Sequence, residues 1–176
     1  EMIIYTVKVA KEKGWELKCA LISPFRFDGG VEWVEEKIRT NNLDRENFLL
    51  MGRIPPYEVI KYLKKSRIGL IPLPDTPKMQ NNIPTKLFEY MYSQLPIVTG
   101  NLPPSAQFLE KDEIGYLVNP NSPSEYADAI IKLLSNRESA EKMGKKGKEL
   151  VENIYNWESE EKKLKVLYES LLWRDK

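Results

Sequence analysis

The stretch "NNIPTKLFEYM", Asn81 to Met91, sets two amides, a proline, a lysine and a carboxylate into one short, partly apolar run. Pro84 pushes Ile83 away from helical backbone and itself suits a first helical turn. The sequence therefore predicts a helix from Pro84 to about Ser93. The first turn of a helix leaves backbone N–H groups without partners, which makes it a natural anion site. Thr85 and Lys86 add a hydroxyl and an ammonium beside it. Lys86 and Glu89 are three apart and share one side of the helix. Leu87, Phe88 and Met91 supply the apolar contacts that would fix it. Glu89 has two readings. It can accept hydrogen bonds from the vicinal hydroxyls of a ribose, or it can form a surface ion pair with Lys86 worth a few tenths of a kcal/mol.

Working outward, short apolar runs alternate with helical patterns. "MIIYTVKVAKEKG" is open to two readings: its β-branched residues suit a strand, but Ile3, Val7 and Ala10 share one helical face and Gly14 suits a C-cap, which favours a helix. "WELKCALISPF", Trp15 to Phe25, reads as a mostly buried strand stopped by Pro24. "VEWVEEKIRTNN" is an amphipathic helix with Val31, Val34 and Ile38 on one side. A strand at Phe48 to Met51 leads into a Gly-Arg-Ile-Pro-Pro loop and a helix after Pro56. "RIGLIPLP", "LPIVTG" and "IGYLVNPNSP" supply three further strands, and "PPSAQFLEKD" a short helix. The remainder is helical, with Ser124 as a cap beside Pro123. Strands alternating with helices of this length imply a parallel sheet covered on both faces.

The expected fold is thus α/β: a doubly wound, Rossmann-like parallel sheet with a helical C-terminal extension. One domain covers residues 1–176, with 137–176 as terminal helices. Ligands in such sheets bind beyond the carboxyl ends of the strands. That rule nominates the loops Ser23 to Gly30, Gly52 to Pro56, Pro72 to Pro84, and Thr99 to Ser105. Asp75 and Lys78 read as solvated flanks of the third loop. Gly144 and Gly147 read as weak points in a solvated helix face, costing about 1 kcal/mol each. Tyr155, Trp157 and Trp173 read as anchors for the terminal helices.

Composition narrows the chemistry. The net charge of +1 implies no global attraction to nucleic acid. No apolar run reaches the length of a membrane span. The single cysteine, Cys19, excludes an intramolecular disulfide and fits a reducing cytoplasm. Within an apolar strand it reads as inert core. There is no histidine, so the usual neutral-pH base and the commonest metal ligand are missing. The opening residues begin inside a patterned element, which reads as a piece of a longer protein.

From "NNIPTKLFEYM" through "IGYLVNPNSPSEYADAIIKLL", the chain resembles the C-terminal, donor-binding half of group 1 retaining glycosyltransferases of the GT-B fold. "FLLMGRIPPYEVIKYLKKSRIGLIPLPD" resembles their strand, base-binding loop, helix and next strand. "YNWESEEKKLKVLYESLL" resembles their last helix. The resemblance implies a nucleotide-diphospho-sugar donor, such as a UDP- or GDP-sugar, and no metal cofactor. It gives Glu89 the donor ribose, and Ile83, Pro84, Thr85 and Lys86 the diphosphate. Arg53 and Ile54 would flank the nucleobase. The family motif has two glutamates separated by seven residues, and Asn81 stands at the first. Asn81 and Lys86 are thereby the candidates for the reacting centre, and Asn81 offers hydrogen bonds without charge. The resemblance also implies that the domain's first strand and the acceptor-binding N-terminal domain lie outside this chain. Attachment to a membrane would then run through that other half, and this piece alone would not turn over. A non-catalytic nucleotide-binding module of the same fold, or another GT-B enzyme such as a sugar-nucleotide epimerase, is the alternative.

Overall fold

The computed structural model describes residues 1–25 and 29–172. Helices and strands alternate in the expected order. Helix α1 (Met2–Glu12) precedes β1 (Cys19–Ile22), α2 (Gly30–Thr40), β2 (Phe48–Met51), α3 (Pro56–Leu63) and β3 (Gly69–Ile71). Then come α4 (Lys86–Tyr92), β4 (Ile97–Gly100), α5 (Pro103–Asp112), β5 (Gly115–Val118), α6 (Pro123–Ser135), α7 (Arg137–Asn153) and α8 (Trp157–Leu172). Pro56, Pro103 and Pro123 each open a helix, where a missing N–H costs nothing.

Every strand pairing is parallel, yet the sheet comes in two pieces rather than one. β1 pairs with β2, and β3, β4 and β5 follow in that order. The alternation of backbone direction explains which groups are left over. The Ser23 amide donates to the Met51 carbonyl, so Cys19 and Leu21 turn their backbone toward β2. Ala20 and Ile22 turn theirs to the opposite edge. The Gly69 amide donates to the Pro96 carbonyl, so Leu70 faces away from β4. Among the described residues the Tyr90 hydroxyl reaches the Leu70 carbonyl, at a long 3.4 Å.

The β3–β5 sheet is covered on both faces. Ile71 and Ile97 pack with Leu87, Met91, Phe108 and Leu109 on one side. Val98 and Val118 pack with Tyr126, Ile130 and Leu133 on the other. The β1–β2 pair is covered on one face, where Phe48 joins Ile4, Val7, Val34 and Ile38. Ala20 and Leu49 point to the other face and are exposed. Helix α1 packs along α6 and also contributes to the β1–β2 core, tying the two pieces together.

Several expectations need correcting. The strand foreseen over Trp15 to Phe25 narrows to Cys19–Ile22. The cap of α6 is Ser122, whose hydroxyl accepts from the Glu125 amide at 3.3 Å, and not Ser124. The Glu125 carboxylate in turn accepts from the Asn119 amide at 2.8 Å, which ties the turn before α6 to its first turn. Gly144 and Gly147 are buried against α4 rather than solvated. Trp157 is 67% exposed and anchors nothing, because α8 lies off the body with no buried residue. Trp173 falls outside the described residues. Tyr155 does anchor the end of α7: its hydroxyl donates to the buried Asp112 carboxylate at 2.8 Å.

Candidate functional site

Helix α4 is short, and its position is fixed from several sides. Leu87 and Met91 are fully buried beneath it. Phe88 meets Phe108 edge-on with ring centroids 5.4 Å apart, and Phe108 meets Tyr155 likewise at 5.1 Å. The Tyr90 ring lies on Gly69, where any Cβ would sit 2.3 Å from it. Burial, the Glu89 charge and Cys19 together push the Tyr90 phenol up to about 12, so it remains a donor. At the far end Gln94 adopts left-handed backbone, φ 58°, and terminates the helix. Its carbonyl abuts Gly144 of α7 so closely that a side chain there would overlap it.

The other end of α4 is open. Regular helix starts at Lys86, two residues later than Pro84, because the first turn is tight. The Leu87 amide bonds the Pro84 carbonyl at 2.9 Å and the Phe88 amide bonds that of Thr85 at 3.1 Å. The amides of Ile83, Thr85 and Lys86 have no partner among the described residues. Pro84 is buried, whereas Ile83, Thr85, Lys86 and Glu89 are exposed. Lys86 and Glu89 make no ion pair with each other or with any described residue. The Glu89 carboxylate is thus uncommitted among the described residues. A cation, a carboxylate and three free amides stand together on one rim of the β3–β4 junction.

The loop that leads into this rim is wired internally. The Gln80 amide donates to the Asp75 carboxylate at 2.7 Å, so Asp75 is more than a solvated flank. The Met79 amide donates to the Thr76 hydroxyl at 3.4 Å. Asn81 closes a single 3₁₀ turn, Met79–Asn81, that packs on α5. Its side-chain amide donates to the Pro77 carbonyl at 3.0 Å, leaving the Asn81 side-chain oxygen as an exposed acceptor. Sequence pattern could not reveal these bonds, since they lie in a loop that no apolar period marks, even where they span three or four residues.

The remaining predicted residues sit apart. Arg53 and Ile54 follow β2, on the separate two-stranded piece. Arg53 is exposed without a partner among the described residues, and Ile54 is half-buried. No hydrogen bond or ion pair links them to α4. Cys19 is chemically quiet, because burial pushes its thiol up to about 11.

A parallel α/β sheet with helices on both faces of β3–β5 and an open helix rim beyond β3 defines a Rossmann-like domain of the GT-B type. This architecture aligns with sucrose-phosphate synthase of Thermosynechococcus elongatus at TM-score 0.80 and 23% identity, over 96% of this chain and 42% of that one. It also aligns with the C-terminal domain of the group 1 family glycosyl transferase LpcC of Francisella tularensis, at TM-score 0.72 and 21% identity. That match covers 89% of this chain and 78% of the other. In sequence, the putative teichuronic acid biosynthesis glycosyltransferase TuaH of Bacillus subtilis is 28% identical over 113 residues, 64% of this chain and 27% of that protein. The profile of "Glycosyl transferases group 1" matches residues 8–150, and the chain belongs to that family. It spans only 22–27% of the length of the curated relatives it matches. Among the described residues no helix is long and apolar enough to cross a membrane.

Proposed function

We propose that this chain is the donor-binding half of a retaining glycosyltransferase that uses a nucleotide-diphospho-sugar. The observation that carries the proposal is the unpaired set on α4. Lys86, Glu89 and the amides of Ile83, Thr85 and Lys86 are exposed and uncommitted on a helix whose buried side is tightly held. Such a rim suits a ligand with anionic and polyhydroxylated parts. The amides and Lys86 bind the diphosphate and stabilise the charge that grows on it as the bond to the sugar breaks. Glu89 accepts from the two ribose hydroxyls. Arg53 and Ile54 edge the base. The Asn81 oxygen accepts from a hydroxyl of the transferred sugar. The acceptor comes from a second domain of the longer protein.

One observation favours a binding module without transfer. The Asn81 amide is held by its own loop, so that position contributes no charge near the reacting carbon. Titrating UDP, GDP and their sugars by calorimetry tests the donor reading. Glu89→Ala weakens nucleotides by roughly 10- to 100-fold, the range of a hydrogen-bonded charge, and leaves inorganic diphosphate unaffected. Lys86→Ala weakens diphosphate and nucleotides but spares the nucleoside. If no nucleotide binds the longer protein, the donor reading is wrong. If nucleotides bind but the sugar is never transferred, the binding module stands.

A further inference from the structure

Helix α3 and the turn after it carry a run of charge that no nearby carboxylate offsets. Residues 56–67 hold four lysines and arginines against one glutamate, so this stretch is +3 while the remaining chain sums to −2. Elsewhere many cations are neutralised locally, as in Lys11–Asp44, Arg39–Glu36, Arg137–Glu141 and Lys163–Glu160. Lys61, Lys64, Lys65 and Arg67 are all exposed, and none pairs with a carboxylate among the described residues.

The helical repeat sets Tyr57, Ile60, Lys61 and Lys64 on one side of α3. Val59, Tyr62 and Leu63 take the opposite side and are half-buried. Glu58 lies between the two sides and is half-buried as well. The outward side is therefore free of acid, and two large apolar groups stand among its cations. Tyr57 is 67% exposed and Ile60 38%. No residue of α3 is buried. Unneutralised ammonium groups around exposed apolar side chains match a surface with anionic headgroups over an apolar layer. A bare polyanion would satisfy the lysines and leave Ile60 without a role.

We propose that the outward face of α3 docks on a bilayer containing anionic lipid. Lys61, Lys64, Lys65 and Arg67 lie among the headgroups, and Tyr57 and Ile60 enter the interface between them. This contact is separate from the donor rim on α4, so it stands or falls independently of the donor reading.

Vesicle co-sedimentation of the 176-residue chain tests it. The chain binds phosphatidylglycerol-rich vesicles and not pure phosphatidylcholine vesicles, and added salt weakens the binding. Each cation removed costs about fivefold in partitioning, so Lys64→Gln with Lys65→Gln costs roughly 25-fold. Tyr57→Ser with Ile60→Ser weakens binding further at unchanged charge. Circular dichroism confirms that each variant keeps its fold. Absence of binding to anionic vesicles at low salt overturns the proposal. So does binding that ignores Tyr57→Ser with Ile60→Ser but persists equally on RNA or heparin, which would assign the face to polyanions.

Discussion

Gly144→Ala and Gly147→Ala make a matched pair, because both lie in α7 and both face α4. In an open helix each substitution would stabilise by about 1 kcal/mol through better helix propensity. The contacts separate them. A Cβ on Gly144 would lie 2.0 Å from the Gln94 carbonyl oxygen and 2.7 Å from its carbon. An ordinary contact begins at 3.4 Å, so one helix must retreat by about 1.4 Å. The obstacle is backbone and cannot rotate aside. Gln94 is already in left-handed conformation, which leaves little slack. Overpacking of this kind costs about 1–3 kcal/mol, occasionally more, and exceeds the propensity gain. On Gly147 the nearest atoms, in Met91, are 3.5 Å from the added carbon, which is normal packing. Gly147→Ala should therefore raise the melting temperature by about 2–4 °C, and Gly144→Ala should lower it by roughly the same amount or more. Thermal unfolding followed by circular dichroism measures both. Urea midpoints should move in the same directions at constant slope. If Gly144→Ala matches or exceeds the parent in stability, the close approach of α7 to α4 is not real, and the description of how α4 is held fails with it.

Tyr155→Phe keeps the ring stack with Phe108 but leaves the buried Asp112 carboxylate without its donor, and should cost about 1.5–3 kcal/mol in urea denaturation. Burial first, and then Asp112, push the Tyr155 phenol up to about 12 from an ordinary value of 10. The folded state favours its neutral form. That contribution is complete below pH 10 and is lost as pH rises toward about 12. Alkaline unfolding curves of Tyr155→Phe should accordingly be flatter over that interval than those of the parent. Cys19, with its thiol pushed up to about 11 by burial, should resist iodoacetamide at pH 8 in the folded protein and react on unfolding. Rapid labelling of the native chain, read by mass spectrometry, would contradict the half-buried placement of Cys19.

Much of the fold was legible because apolar runs and prolines act locally. Phe48 to Met51 forms the strand its pattern implies, and α3 and α5 start at their prolines. The helix at Lys86–Tyr92 was legible from Pro84 and the Leu87–Met91 spacing, although tight bonds from Pro84 and Thr85 delay its regular start. What escaped was long-range. Which strand lies beside which is a matter of pairing, and no residue in β1 or β3 announces an unpaired edge. Gly144 and Gly147 looked like weak points because propensity is local, whereas both are buried and Gly144 lets another backbone approach. Trp157 looked like an anchor because large aromatic residues are usually covered. At the rim, Lys86 and Glu89 were visible from spacing alone. Their lack of ion-pair partners, and the bond from Asn81 to Pro77, were visible only in three dimensions.

The two pieces of sheet have a further consequence for how the chain behaves in bulk. Ala20 and Ile22 present backbone donors and acceptors along one side of β1, with no strand beside them among the described residues. The strand Cys19 to Ile22 is itself uncharged, with Lys18 just before it and Pro24 just after to shield its ends. The facing side of β3 is better protected, with the Tyr90 hydroxyl on its carbonyl and Pro72 and Pro74 just beyond. A second copy that pairs at this edge joins β1 to β1 through the same patch on both molecules, a joint that closes at two. Association of the isolated chain through the sheet thus begins at four uncharged residues and stops at a pair.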